Sequence, residues 1–267
     1  MRFALNTLMW AWDPFEEVLD HAAALGVEAL DLGALPGCGH LRLPVPEGFA
    51  ESAIGRLAGT GRVVAVTADH PGLGASDGEA QEAGVAYTLE ALRVAGQLGA
   101  PVVGTSLGSV GEGRSWPDAA VRATESLREL FRRHSGEVRL ALEVHVNDVC
   151  NSLEKASHFI AAVNDPRLGV AFDTSLLFHN HIGLDEAFGR LSERLYHVHL
   201  RGATRETYFA VPGRDEVDFP GFFRRLRDAG YSAALSLELY EVRERYGIST
   251  AEALREAIPY LLGLQAP

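Results

Sequence analysis

Four side chains of metal-binding chemistry close the last four apolar segments of this 267-residue sequence. They are Glu143 in LALEVHV, Asp173 in VAFDTS, His199 in YHVHLRG and Glu238 in LSLELYE. An ionised carboxylate in apolar surroundings is costly unless something compensates its charge. Three carboxylates and one imidazole suit a divalent ion, with Mn²⁺ preferred and Mg²⁺, Co²⁺ or Zn²⁺ as alternatives. The pattern predicts a metal centre that leaves coordination positions for substrate oxygens.

The elements that would position these side chains follow a repeated pattern. An amphipathic helix ends at a glycine and a short apolar run follows, as in AALGVEALDLG, GQLGAPVVGTS and RDAGYSAALSLELY. Glycine just past a helix end is the usual left-handed cap, and the apolar run is typical of a buried parallel strand. Strands are predicted at 2–10, 27–33, 62–70, 101–106, 138–146, 168–174, 195–200 and 234–240.

This alternation predicts an α/β fold, the (β/α)8 TIM barrel, which commonly occupies about 250 residues. No linker or break in composition divides the chain, so we expect a single domain over residues 1–267. An open doubly wound sheet is the alternative, but no GxGxxG phrase follows the first strand. Parallel barrel strands end at one rim, where the four metal-binding side chains should meet.

Two helix starts are predicted from their capping residues. Asp13 should cap the helix that opens with DPFEE, with Pro14 in its first turn. Ser249 and Glu252 have the spacing of a capping box at the start of the last helix.

Composition and charge limit the classes of partner. The formal net charge is -12, so a polyanion or an anionic membrane would be repelled. A secretory signal and an apolar stretch of about 20 residues are both lacking, so we expect a cytoplasmic protein. We expect no nucleic-acid partner and no membrane partner, and a possible homo-oligomer.

The cysteines and the lysine limit the chemistry of the chain. Cys38 and Cys150 match no zinc spacing. Lys155, the only lysine, falls off the apolar face of its helix, which disfavours covalent amine catalysis.

His197 and His145 lie close to the predicted ligands in the sequence. His197 and His199 are two residues apart and should face the same side of a strand. We assign His199, nearer the rim, to the metal and His197 to support or packing. His145, one step further out than Glu143, is expected to contact substrate or to transfer a proton, with a passive hydrogen bond as the alternative.

Two more rim residues are candidates for substrate binding. Trp10 follows the first strand and His70 follows the third. Both could contact a sugar by stacking or hydrogen bonding, and packing of loops against one another is the alternative for Trp10.

The motifs together resemble a known family. EVH, FDTS, HVHLRGATR, VPGRDEVDF and SLELYE, in that order, are similar to the xylose isomerase-like TIM-barrel superfamily of sugar isomerases and epimerases, the sugar phosphate isomerase/epimerase family. The resemblance implies that Glu143, Asp173, His199 and Glu238 bind the metal and that Glu143 and Glu238 also exchange substrate protons. It further implies that Arg205, six residues after His199, lies beside substrate oxygens.

Some positions depart from the family pattern. Leu176 in DTSL stands where relatives often carry a substrate-binding histidine, and His179 or His181 in the following loop is an alternative source of one. Asp215 replaces the second glycine of the PGxG loop, and Gly202 replaces the usual aspartate after HVHL and a basic residue. The preferred substrate is therefore not carried over.

The leading hypothesis is a divalent-metal-dependent isomerase or epimerase of a small sugar-like polyhydroxy carbonyl compound, acting through a metal-stabilised enediolate. A metal-dependent dehydratase or lyase is the alternative, with His145 as the acid. An abasic-site endonuclease is remote, because two extra ligands of that branch are Leu176 and Val217 here. A barrel that binds without catalysis would have no reason to keep four converging charged groups.

Overall fold

Eight parallel strands form the centre of the computed structural model, which describes residues 1–75 and 78–265. In chain order they are β1 Phe3–Asn6, β2 Ala29–Leu35, β3 Val63–Thr67, β4 Val102–Thr105, β5 Arg139–Glu143, β6 Leu168–Asp173, β7 Leu195–Leu200 and β8 Leu235–Leu237. Each strand pairs with the next, and β1 pairs with both β2 and β8, which closes the cylinder. The predicted (β/α)8 barrel is confirmed. The single-domain assignment of 1–267 stays a prediction, and residues 76–77 and 266–267 lie outside the described residues.

The helices alternate with the strands along the chain. They are α1 Phe15–Leu25, α2 Gly72–Ala75, α3 Gly78–Leu98, α4 Trp116–Arg133, α5 Leu153–Val163, α6 Thr174–His179, α7 Leu184–Leu191, α8 Phe219–Asp228, α9 Val242–Tyr246 and α10 Thr250–Gly263. One unit is irregular, since β2 and β3 are joined through 3₁₀ turns at Phe49–Glu51 and Gly55–Leu57. Pro44 and Pro46 lie in this connection, where they oppose a continuous helix.

Only one of the two predicted caps forms. Ser249 and Glu252 make the predicted capping box at the start of α10. The prediction for Asp13 is wrong, because the extended backbone of Pro14 makes that proline the cap residue of α1, without a side-chain hydrogen bond. Asp13 therefore lies one position too early to serve the first turn.

Six strands end one to four residues earlier than predicted, and the early ends of β1 and β5 shape the rim. After β1 the chain enters a 3₁₀ turn at Thr7–Trp10, where the Asn6 side chain accepts from the Leu8 N–H. After β5 the His145 N–H donates to the Glu143 carbonyl, so the chain turns at once. The side-chain alternation of β5 therefore stops at Glu143.

Aromatic packing anchors the strand that carries Asp173. Phe172 of β6 meets Phe188 of α7 edge to face at 5.6 Å between ring centres, and Phe188 meets Phe222 of α8 at 5.5 Å. Burying such side chains is worth about 1.5–3 kcal/mol each, which holds β6 against the helices. Among the described residues, none of the helices is long and apolar enough to cross a membrane.

Candidate metal centre

The four predicted ligands meet at the carboxyl-terminal rim of the barrel. Glu143 and Asp173 end β5 and β6, His199 is the penultimate residue of β7, and Glu238 follows β8. The register places Asp173 opposite His199. One potential ligand atom from each of the four lies within 4.8 Å of all the others. This convergence is the geometry that the sequence predicted.

The side chains of this cluster differ in access. The Glu143 side chain is 13% exposed, whereas those of Asp173, His199 and Glu238 are almost fully buried. His199 Nδ1 lies 2.9 Å from Glu143 Oε1 and 3.7 Å from Glu238 Oε2. The Nδ1 atom of His199 therefore faces the carboxylates, and Glu143 is the ligand most open to an entering molecule.

Asp173 is held in place by the start of α6. Its Oδ1 accepts from the backbone N–H groups of Ser175 at 2.7 Å and Leu176 at 3.2 Å, and from the Ser175 hydroxyl at 2.6 Å. These bonds satisfy free donors of the first helical turn and fix the orientation of the carboxylate. The DTSL phrase thus positions a candidate ligand, while Leu176 itself is buried.

Arg201 is a member of this site that the sequence reasoning missed. It is buried, donates from Nη2 to Asp173 Oδ2 and from Nε to the Ser175 hydroxyl at 2.9 Å, and places Nη2 3.7 Å from Glu238 Oε2. Its spacing of two residues from His199 in HVHLR was the available signal. Because an arginine stays charged, it offsets part of the negative charge of the carboxylates.

Aromatic rings surround the Arg201 guanidinium. The centres of the Tyr208, Phe209 and Tyr240 rings lie 5.9, 5.5 and 5.5 Å from its Cζ atom. The Tyr240 hydroxyl also donates to Glu238 Oε1 at 2.8 Å. These contacts favour a fixed arginine.

The two glutamates have opposite pKa shifts. Burial alone would raise the pKa of Glu143. The hydrogen bond and the charge of His199 outweigh burial and lower that pKa to about 2. Burial raises the pKa of Glu238 and outweighs the lowering by the charges of His199 and Arg201, while the charges of Glu143 and Asp173 add smaller increases. The environments of the two carboxyl groups therefore differ, with His199 bonded to Glu143 and burial dominant at Glu238.

Strand alternation does not place His145 on the same face as Glu143, because β5 ends at Glu143. The reason given for expecting His145 at the site was therefore wrong. His145 lies in the turn after β5, is half-buried, and its Nδ1 lies 2.7 Å from the Val146 carbonyl oxygen. Burial lowers its pKa, but the charges of Glu143, Asp148 and Asp173 raise it more. Its charge therefore remains coupled to the cluster, and its contact with substrate stays a prediction.

The described contacts of the other predicted substrate residues are with residues outside the four-residue cluster. Arg205 is exposed where the short strands Gly202–Thr204 and Thr207–Ala210 turn, and its backbone N–H donates to Glu216. His70 is half-buried, accepts from the Gly72 N–H and packs on Tyr87. Trp10 is 8% exposed and stacks on His21 of α1 at 5.1 Å. Of the alternative histidines, His179 packs on Tyr208 and His181 is exposed.

Replacing Arg201 by Met is expected to destabilise the metal-free protein by about 3–5 kcal/mol, because Asp173 would keep a buried charge without its partner. Urea unfolding measures the loss. Arg225→Met is the matched control, since Arg225 pairs with exposed Asp185 and its loss should cost at most about 1 kcal/mol. Equal losses in the two variants would contradict the role assigned to Arg201.

Asp148 gives the protein a pH dependence that can be isolated by substitution. Burial raises its pKa from 3.8 to about 7. A carboxyl with a raised folded-state pKa stabilises the protein below its unfolded value, and that contribution is lost as pH rises towards 7. Asp148→Asn should therefore gain stability relative to the wild type between pH 4 and 7 in urea unfolding. Exposed Asp20→Asn is the control, and parallel curves for Asp148→Asn and the wild type would refute the shift.

A closed (β/α)8 barrel with a carboxylate and imidazole cluster at its carboxyl-terminal rim is the architecture of many enzymes. Residues 19–263 match the sequence profile of the xylose isomerase-like TIM barrel family, and the chain belongs to that family. A D-psicose 3-epimerase from Enterocloster bolteae is 25% identical over 144 residues, which cover 52% of this chain and 46% of that protein. The matched segment thus spans about half the length of that relative.

Solved structures share the whole fold at low sequence identity. The IOLI protein with a bound zinc atom superposes with a TM-score of 0.80 and 16% identity, covering 99% of this chain and 98% of that chain. A D-psicose 3-epimerase with D-tagatose from Clostridium cellulolyticum H10 gives 0.79 and 15%, covering 100% of both. At these identities the likeness establishes the barrel fold.

Proposed function

We propose that this protein is a divalent-metal-dependent epimerase or isomerase of a small polyhydroxy carbonyl compound. The observation that carries the proposal is the meeting of Glu143, Asp173, His199 and Glu238 within 4.8 Å of one another. Membership of the family and similarity to a D-psicose 3-epimerase support a sugar epimerase or isomerase activity.

The residues fit a divalent ion. The Glu143, Asp173 and Glu238 carboxylates and His199 Nδ1 would hold it, and their oxygen-rich donor set favours Mn²⁺ over softer metals. When bound, the ion would polarise adjacent carbonyl and hydroxyl oxygens of the substrate and so acidify the C–H bond between them.

Glu143 and Glu238 would exchange the substrate proton. In one direction of the reaction one glutamate removes the proton and the other returns one, and the roles reverse in the other direction. Return to the opposite face of the same carbon gives an epimer, whereas return to the neighbouring carbon exchanges aldose and ketose. Tyr240 and Arg201 would keep the Glu238 and Asp173 carboxylates oriented during this exchange.

A multi-metal phosphodiesterase is disfavoured by the site itself. Arg201 places a permanent positive charge 3.7 Å from Glu238 Oε2, which opposes a second cation beside the first. Leu176 and Val217 offer no ligand where the endonuclease branch has two. The acidic balance of the chain also repels DNA.

The test is incubation of the Mn²⁺-loaded protein with ketoses, aldoses and inososes in D₂O. Deuterium at the carbon beside the carbonyl, together with an epimer or isomer, is the expected result. Release of water with a new unsaturated product would instead identify a dehydratase. No exchange with any member of the panel would contradict the proposal. We propose His145, Arg205, His70 and Trp10 as substrate contacts, to be tested on the substrate so found.

A further inference from the structure

A second polar cluster lies next to the candidate metal centre and joins the first three strands of the barrel to β7. Its members are fully or almost fully buried: Asn6 at the end of β1, Asp31 on β2, Thr67 at the end of β3 and His197 on β7. A buried carboxylate in an apolar strand needs partners, and Asp31 finds them across the barrel.

Asp31 joins the two histidines of β7. Its Oδ2 lies 2.9 Å from His197 Nε2 and 3.3 Å from His199 Nε2, and its Oδ1 accepts from the Thr67 hydroxyl at 2.9 Å. Both His199 nitrogens thus face carboxylates, Nε2 that of Asp31 and Nδ1 that of Glu143, and a carboxylate only accepts hydrogen bonds. A cation that takes the place of the Nδ1 proton among Glu143 and Glu238 would leave His199 neutral, with its remaining proton on Nε2 facing Asp31.

Asn6, another member of this second cluster, contacts Glu238. Asn6 Nδ2 donates to Glu238 Oε1 at 3.0 Å and lies 3.2 Å from the Thr67 hydroxyl, while Asn6 Oδ1 accepts from the Leu8 N–H at 2.9 Å. Together with the Tyr240 hydroxyl, Asn6 occupies Oε1 of Glu238. The other carboxylate oxygen, Oε2, is left facing His199 and Arg201 at 3.7 Å.

Asp31, His197 and His199 could by composition bind a cation of their own. They supply one carboxylate against the three of the candidate metal centre, and their side chains are at most 3% exposed, whereas Glu143 is 13% exposed. We therefore place the cation among Glu143, Asp173, His199 and Glu238.

We propose that Asp31, supported by Thr67 and Asn6, is a positioning residue that selects Nδ1 of His199 and Oε2 of Glu238 as the atoms presented to the metal. The inference rests on the metal centre of the proposed function. It assigns a role to the first three strands, whose side chains support ligands carried by the later strands. Partners of metal-binding histidines commonly change metal affinity by 10- to 100-fold when replaced.

Asp31→Asn is the principal test, because an amide can turn a donor towards His199 where the carboxylate only accepts. Zn²⁺ and Mn²⁺ affinities are measured by competition with a chromophoric chelator, and we expect a loss of about 10- to 100-fold. Thr67→Val should lose affinity in the same direction, and Thr67→Ser should restore it. Asp218→Ala, which removes the cap of α8, is the destabilised control and should keep wild-type affinity.

Nitrogen-15 NMR of the Zn²⁺-loaded protein supplies a readout that a merely structural role would not move. The wild type should show His199 bound through Nδ1 with a protonated Nε2, and Asp31→Asn should perturb that Nε2 proton. Ligation through Nε2, two ions per chain, or affinities within twofold for Asp31→Asn and the wild type would overturn the inference. Tight binding of one ion that depends on Asp31, without any sugar exchange, would uphold the inference and reject the proposed function.

Discussion

Glu143→Gln and Glu238→Gln are each expected to lower the rate of deuterium exchange at the substrate carbon by about 10²- to 10⁴-fold. Each side chain reaches the cluster that would hold the substrate oxygens, and an amide neither accepts nor returns a proton as a carboxylate does. The exchange rate in D₂O at saturating Mn²⁺ measures the effect, so that weaker metal binding is not mistaken for lost proton transfer.

Glu241→Gln is the matched control for these variants. Glu241 is exposed, follows Glu238 by three residues and pairs with Arg245 on the surface. The same chemical change at this position should leave the exchange rate within twofold of the wild type. Retention of more than half the wild-type rate by either Glu143→Gln or Glu238→Gln would refute the role of that glutamate.

Removal of the metal by a chelator is expected to abolish deuterium exchange at the substrate carbon. It is also expected to lower the free energy of unfolding. The carboxylates of the centre repel one another when buried without a cation, and an ion that binds only the folded state stabilises it by mass action. At an ion concentration of about 100 times the Kd, the gain is about 2.7 kcal/mol. Urea unfolding with Mn²⁺ and with a chelator measures the difference, and one equivalent of Mn²⁺ should restore exchange.

Asp173→Asn separates specific binding from a general effect of salt. The substitution removes one ligand charge while keeping a side chain that can still accept from the start of α6. The stabilisation by Mn²⁺ should shrink strongly in this variant, and NaCl at the same ionic strength should reproduce any general effect of salt. A wild type equally stable with Mn²⁺ and with chelator would contradict a resident metal.

The barrel and its cluster were predictable because the relevant signals are local. Each of the last four strands is a short apolar run that ends in one residue of metal-binding chemistry, and parallel strands must present those ends at one rim. The convergence of Glu143, Asp173, His199 and Glu238 then follows from topology alone.

Arg201 and Tyr240 were missed because their positions depend on the chain beyond the strand ends. Arg201 follows the last residue of β7 and turns back onto Asp173, and Tyr240 lies three residues past β8. Strand alternation gives no direction there, which is also why His145 is not placed by it. Arg201 is oriented by Asp173, which lies 28 residues away in the sequence.

Asp31 could have been found by the argument applied to Glu143. It stands in the apolar run VEALDLG, where a buried carboxylate equally demands a partner. What the sequence does not contain is the identity of that partner, since Asp31 and His197 are 166 residues apart. Closure of the barrel brings Asp31 and His197 together. The irregular connection between β2 and β3 was also not predicted, because the effect of Pro44 and Pro46 on helix formation depends on the whole connection.

One cation is expected to bind among Glu143, Asp173, His199 and Glu238. Anomalous diffraction from crystals grown with Mn²⁺ would locate it. The expected result is one strong peak per chain at about 2.0–2.2 Å from a carboxylate oxygen of each acid and from His199 Nδ1. A peak elsewhere in the molecule, or four empty side chains at saturating Mn²⁺, would contradict the claim.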